Sequence, residues 1–413
     1  MPAQKHNGER HHDIVVWGAS GFTGRLVVEY LAQRYRPGTD LDWAIAGRDQ
    51  SKLEALLDEL GLPPGKVAIL IADSHDAASL ERLVLSARVV LTTVGPYAKH
   101  GSELVKACAM HGTHYCDLAG EVQWIRRMID AHQHDAERSG ARIVHSCGFD
   151  SIPSDFGVWF LQNLAREGHG RPCREITMLV KATRGGASGG TFASSLNAIE
   201  EARADRATAR ILVEPYSLNP AGLRDGPDGR DQRGARFNDD VGAWTAPFVM
   251  AVINTRIVRR TNALLDFAYG RDFRYREAVL AGPGFRGRVK ASTISAGIGA
   301  FMLASSYRLS REYLVRPLLP KSGEGPDRAA REAGFFNLLL LGKLDDGTPI
   351  RARVTGDRDP GYGSTSKMLA ESAVCLAVDE PGTGGGIWTP VAAMGGDLFR
   401  RLTRNAGLTF ELA

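Results

Sequence analysis

The chain has 413 residues, 43% hydrophobic and 24% charged, a balance that suits a soluble globular protein of two or three domains. Its net charge of +4 is too small for this length to imply a nucleic-acid-binding arm. Five cysteines, odd in number and without a C-x-x-C pair, argue against a disulfide framework or structural zinc and for a reducing, cytoplasmic setting. Residues 1–12 are polar and lack the apolar core of a signal peptide.

From residue 13 to 145 short β-branched runs alternate with helical patterns, the rhythm of βαβ units on a parallel sheet. Strands are predicted at 13–17, 43–46, 67–72, 89–93, 113–116 and 141–145. A helix over 24–35 follows the first strand. Another over 52–60 has Ser51 as its expected cap, with Glu54 completing a capping box. Beyond Asp150 the rhythm changes. A helix over 154–167 leads to a long strand over 175–183, a glycine run from Gly185 to Gly190, and another helix. Residues 215–242, rich in Gly, Pro, Arg and Asp, read as a long surface loop or a partly disordered segment. Residues 317–326 form a second break. Strands over 335–343 and 350–355 flank Asp345-Asp-Gly347, a hairpin turn. A helix over 364–378 and a closing helix and strand over 398–412 finish the chain. The expected fold is α/β: a Rossmann-type, doubly wound parallel sheet with a second α/β (α+β) domain. The expected division is 1–152 for the first domain, with 385–413 returning to it, and 153–384 for a substrate or dimerisation domain.

Gly18-Ala-Ser-Gly21-Phe-Thr-Gly24 leaves a hydrophobic strand and opens a helix. A diphosphate needs close approach to backbone N–H groups at a helix N-terminus, and only small residues permit it. Gly18, Ser20, Gly21, Phe22, Thr23 and Gly24 are therefore candidate phosphate-binding residues, although the spacing departs by one position from G-x-G-x-x-G. Where an NAD site places an acid after the second strand, this chain has Arg48, suited to a 2′-phosphate and hence to NADP(H). Asp73 and Ser74 are placed to meet the adenine. Thr93, Gly95 and Pro96, after strand four, are placed to meet the nicotinamide ribose. Asp117, Glu121 and Asp150 leave the carboxyl ends of later strands, where ligands bind in such sheets. Asp117 and Glu121 read equally well as loop-holding carboxylates. Tyr97 and Asp150 are the candidate catalytic residues, with a structural role the alternative for Tyr97. Cys147 reads as a small buried thiol. The eleven histidines form no metal-ligand spacing, so no metal is expected.

These motifs resemble the saccharopine dehydrogenase-like oxidoreductase family, and within it the trans-acting enoyl reductases. The carrying residues are Gly18–Gly24, Ala46-Gly-Arg48, Thr93-Val-Gly-Pro-Tyr97, Tyr115-Cys-Asp-Leu-Ala-Gly-Glu121, Gly148-Phe-Asp-Ser-Ile-Pro-Ser-Asp155 and the glycine turn ending Gly-Gly-Gly-Ile-Trp-Thr-Pro390. The resemblance implies NADP(H) binding, an inserted second domain, and a C-terminal segment that returns toward the first. It also implies reduction of an acyl double bond in lipid or polyketide assembly. The expected partners are an acyl-thioester or other small-molecule substrate and a polyketide or fatty-acid synthase. A second copy of the chain and a membrane surface remain open, and no nucleic acid is expected. A saccharopine-type reductase of amino-acid metabolism and a non-catalytic NADP-binding membrane-surface protein are the alternatives. The stretch 291–307, apolar with basic flanks and short of the ~18 uninterrupted apolar residues of a spanning helix, reads either as a buried helix or as a lipid-facing one.

Overall fold

The computed structural model describes residues 10–185, 189–319, 325–379 and 381–413. The short hydrophobic runs of the N-terminal half become strands β1 (His12–Trp17), β2 (Trp43–Gly47), β3 (Ala68–Ile71), β4 (Ala87–Thr92), β5 (His114–Cys116) and β6 (Arg142–Val144). All pair in parallel, with Val16 beside both Ile45 and Leu91. β2 is buried at all five positions, because both faces of the sheet are covered. The coverings are α1 (Phe22–Arg34), α2 (Gln50–Glu59), α3 (Ala77–Ser86), the short α4 (Tyr97–His100), α5 (Ser102–His111) and α6 (Val122–Ser139). The cap of α2 is Asp49, whose carboxylate accepts from Lys52 N–H at 3.2 Å, and not the expected Ser51. An acid two residues earlier reaches the free amides, and Ser51 is already inside the helix.

α7 (Ile152–His169) carries the chain into a second sheet. Its strands are β7 (Glu175–Arg184), β8 (Arg236–Asn238), β9 (Ala243–Ala246), β10 (Arg274–Gly282), β11 (Phe335–Lys343), β12 (Pro349–Gly356) and, at the C-terminus, β14 (Leu408–Leu412). Their order is β14-β12-β11-β7-β10-β9-β8. β7 and β10 run parallel and the remaining pairs antiparallel. Between them lie α8 (Gly189–Ala204), α9 (Arg206–Val213), α10 (Ala251–Leu264) and α11 (Gly284–Ser306).

The C-terminal segment divides between the sheets. β13 (Gly386–Trp388) pairs in parallel with β6 and makes the first sheet seven-stranded, in the order β13-β6-β5-β4-β1-β2-β3. β14 closes the second sheet. The helix Thr365–Val374 packs on α1, β4 and β5, so the chain already lies over the first sheet before residue 384. One apolar core therefore runs from Val16, Ile45 and Leu91 through Leu369 and Val374 to Phe156, Met178 and Leu340. Asp155 joins the same seam. It accepts from Thr261 Oγ1 at 2.6 Å and from Val391 N–H at 2.9 Å, at the start of the helix Pro390–Arg404.

Residues 215–242 are irregular apart from β8, but they are pinned. Arg259 on α10 donates to Asp228 Oδ2 at 2.7 Å and to Pro215 O at 3.0 Å, with both charged groups buried. Arg260 donates to Leu218 O at 2.5 Å and to Ile387 O at 2.6 Å, tying the loop to β13. A buried ion pair that also satisfies backbone carbonyls is a strong local constraint. Of the two readings of this stretch the structure shows the long loop, held by a polar clasp. Residues 320–324 of the second predicted break lie outside the described residues. Among the described residues no helix is long and apolar enough to cross a membrane.

Candidate functional site

Gly18 follows Trp17 at φ +87, and its N–H donates to Ala46 O at 3.0 Å. A Cβ there would lie 2.5 Å from Val94 Cγ2, and at Gly24 a Cβ would run into the Gly18 carbonyl. These two glycines let the turn pack against itself and against the end of β4. Thr93 Oγ1 fastens that contact, donating to Gly18 O at 3.3 Å. Gly21 differs. Its backbone is extended at φ −75, it is exposed, and a Cβ would meet only Gly18 O at 3.3 Å. Gly21 caps α1 without a side-chain bond, and the first turn holds no acid. The amides at Phe22 and Thr23, with the positive end of the helix dipole, thus face an open space sized by Ser20 and Gly21. A diphosphate fits this cradle.

At the adenosine end Arg48 is exposed beyond β2. Asp73 is a turn residue whose Oδ1 accepts from His75 N–H at 2.8 Å, and Ser74 is buried beside it. The loops after β3 and β4 converge so that the His75 and His100 rings meet edge to face at 5.5 Å. The His100 imidazole is held below its ordinary value, first by burial and then by the neighbouring charges of His75, Arg48 and Lys99. Arg48 and Lys99, with the His75 and His100 imidazoles beside them, thus form a basic corner suited to a 2′-phosphate. The two histidines carry no sequence signal, because only the sheet order brings the two loops together.

On the opposite side of the turn, Gly95 and Pro96 lead into α4. Tyr97 is only 3% exposed. Its hydroxyl donates to Thr92 O at 3.2 Å and accepts from Leu118 N–H at 3.4 Å, and its ring stacks on Trp124 at 5.4 Å. Burial, followed by the charge of Asp117, drives this phenol well above its ordinary value. The backbone N–H groups of Tyr97 and Ala98 donate to the Glu121 carboxylate at 2.7 and 3.0 Å, which also accepts from Ser194 Oγ on α8 at 2.7 Å. Asp117 is fully buried and accepts from Tyr115 Oη, Ala119 N–H, Ser146 N–H and His145 Nδ1 at 2.7–3.0 Å. Both acids hold loops. Cys147 is buried, and burial raises its thiol well above the ordinary value.

Asp150 stands apart from these networks. It is partly buried at the start of α7, where its Oδ2 lies 3.6 Å from the Cβ position of Gly120, and burial pushes its carboxyl up to about 7. Its charge is felt at the Tyr97 phenol. The adjacent Ser151 Oγ donates to Asn254 Oδ1 at 3.2 Å, and Asn254 Nδ2 donates to Glu277 at 2.9 Å. Burial likewise raises Glu277 to about 7.

Residues far along the chain surround the same turn and loop. Tyr362 meets Phe22 edge to face at 4.6 Å, and the Arg331 guanidinium lies 5.6 Å from the Phe22 ring centre. Thr365 Oγ1 accepts from Phe149 N–H at 3.0 Å and donates to Pro360 O at 2.7 Å, which fixes the loop before Asp150. Arg331, Tyr362 and Thr365 lie far along the chain from the glycine turn and outside the motifs the sequence marks. Among the described residues no group of three or more His, Cys, Asp or Glu side chains could hold a metal.

A parallel sheet in this order, an uncapped glycine turn after β1 and a basic corner beyond β2 define an NADP(H)-binding oxidoreductase of the Rossmann type. Residues 14–144 match the saccharopine dehydrogenase NADP binding domain. Over 413 residues the chain is 43% identical to a protein of Mycobacterium tuberculosis named as a trans-acting enoyl reductase, covering 97% of each. It is 38% identical over 408 residues to the trans-acting enoyl reductase of Mycobacterium ulcerans, covering 96% of each. The chain belongs to this family of saccharopine dehydrogenase-like oxidoreductases. Its fold is that of apo saccharopine dehydrogenase (L-Glu forming) from Saccharomyces cerevisiae, with a TM-score of 0.52 at 12% identity over 97% of this chain and 99% of that one.

Proposed function

We propose that the chain is a trans-acting enoyl reductase that saturates the α,β double bond of an acyl thioester made by a polyketide or fatty-acid synthase. The observation that carries this reading is Asp150, a carboxyl raised by burial to about 7 beside Gly120 and Tyr97, in a chain that carries a dinucleotide-type glycine turn and is a relative of named enoyl reductases. The turn Gly18–Gly24 and the N-terminus of α1 hold the diphosphate. Arg48, with His75 and His100, holds the 2′-phosphate, and Asp73 and Ser74 line the adenine. Thr93, Gly95 and Pro96 form the wall for the nicotinamide ribose. The bound dinucleotide supplies the hydride.

Asp150 holds the proton that the substrate's α-carbon requires once its β-carbon is reduced. A carboxyl near 7 is protonated in a useful fraction at neutral pH, which matches general-acid work. Tyr97 has a positioning role, because its hydroxyl is committed to Thr92 O and its ring is covered. Through its N–H bond to Glu121 it keeps the α4 loop against the wall of the site. The experiment is NADPH turnover with enoyl thioesters of increasing acyl length, and separately with an α-keto acid plus an amino acid. Enoyl-dependent turnover supports the reading. Turnover only with the keto-acid pair would replace it with saccharopine-type chemistry, and NADPH binding without any turnover would replace it with a non-catalytic role.

A further inference from the structure

The inner side of α11 is one helical stripe: Gly287 and Ala291 are buried, Ile294, Ile298 and Phe301 partly so, and Ser305 is buried. Phe301 packs against Phe192 of α8 at 6.1 Å. Ordinary surface helices put charge on the opposite side. Here Phe285, Val289, Ala296, Ala300 and Leu303 form a second, exposed stripe, with Phe285 at 78%. The chain then turns at Tyr307 and adds Leu309 at 73%, Tyr313 at 75% and Leu318 at 84% exposure. So many protruding apolar side chains on one helix and the turn packed against it exceed the scattered hydrophobics of an ordinary surface.

Along α11 the charge has one sign, and in the turn that follows Glu312 is paired with Arg316 at 2.6 Å. From residue 278 to residue 311 there is no aspartate or glutamate, while Arg286, Arg288 and Lys290 flank one end of α11 and Arg308 the other, all exposed. We infer that α11 and the turn at residues 307–318 form a docking face for an anionic lipid surface, on which the helix lies flat with its outer stripe in the interface and its basic ends among the headgroups. The helix is about 35 Å long at 1.5 Å per residue, so both basic ends reach the headgroup plane together. A second copy of the chain is disfavoured as occupant, since pairing two such helices in either direction sets basic ends against basic ends.

The face is mechanically joined to the site. Arg203 on α8 lies over the Tyr307 ring at 5.0 Å, Arg311 pairs with Glu200 at 3.3 Å, and Ser194 on the same helix bonds Glu121. One helix, α8, therefore links the proposed docking face to the Glu121 loop. The inference does not depend on the reaction, and its test contains no substrate.

The test is sedimentation of the full chain with phosphatidylcholine vesicles, with and without about a quarter phosphatidylglycerol. Binding to the anionic vesicles should exceed binding to the neutral ones by at least about tenfold and weaken with salt. The double variants Arg286→Glu with Lys290→Glu, and Leu309→Glu with Leu318→Glu, should each lose about tenfold or more while binding NADPH like the parent. These positions are exposed and outside the site, so retained NADPH binding certifies the fold. Absent vesicle binding, equal binding by the variants, or a solution dimer abolished by Leu309→Glu with Leu318→Glu would each overturn the inference.

Discussion

Replacing Gly21 with valine separates cofactor binding from folding. The backbone at this position is extended, with φ −75 and ψ 162, so valine takes it without left-handed strain. A Cβ would touch only Gly18 O at 3.3 Å, a distance that a shift of a few tenths of an ångström relieves. An apolar residue in place of glycine at a helix cap costs about 1 kcal/mol or less. The two methyl groups then occupy the space in front of the Phe22 and Thr23 amides. Losing two charge-assisted hydrogen bonds of about 1.5–3 kcal/mol each removes at least about 3 kcal/mol of binding, or more than a hundredfold. Gly24→Val is the control, because its Cβ meets the Gly18 carbonyl backbone and must displace the turn, so it destabilises the whole domain by several kcal/mol. NADPH fluorescence titration beside thermal unfolding reads both quantities. Gly21→Val binding NADPH with the parent affinity and an unchanged Tm would refute the cradle.

Four further outcomes follow from the site. Arg48→Ala should erase most of a preference for NADPH over NADH of about tenfold or more, measured as the ratio of the two Kd values. His100 starts below its ordinary pKa, and a 2′-phosphate favours its charged form, so NADPH should bind more tightly as pH falls from about 8 to 6 while NADH changes little; parallel pH curves would remove the histidines from the site. Asp150→Asn should lower kcat about a hundredfold with little change in KM, and should abolish the fall in activity that the parent shows above a pH of about 7. Glu277, raised to about 7 by burial from an unfolded value near 4.5, binds more protons folded than unfolded, so it costs stability as pH rises from 4.5 through 7. Denaturant titrations at pH 5 and pH 8 should show Glu277→Gln losing about 2.5 kcal/mol less than the parent across that window.

The first sheet was legible because its strands are buried on both faces and read as unbroken apolar runs, as Trp43–Gly47 does. The glycine turn was legible because three glycines in seven residues, between a strand and a helix, have few other uses. α10 was not read, since Arg256, Arg259 and Arg260 break its apolar pattern, although all three are buried and partnered by carboxylates and carbonyls of residues 212–231 and 387. β13 was hidden by brevity, three residues that become a strand only by pairing with β6. For α11 the sequence leaves a buried and a lipid-facing helix equally open, for another reason. A 3.6-residue period reports which residues share a side and is silent on whether a second apolar side finds a partner.

The most direct test of the central claim follows the hydride itself. The protein is given NADPH carrying deuterium at the transferable C4 position together with a long-chain enoyl thioester, and the acyl product is analysed by mass spectrometry. One deuterium at the β-carbon, with the α-carbon proton drawn from solvent and lost turnover in Asp150→Asn, is the predicted result. A deuterium-free acyl product with NADPH unconsumed, or deuterium appearing only in an amino acid formed from a keto acid, would contradict it.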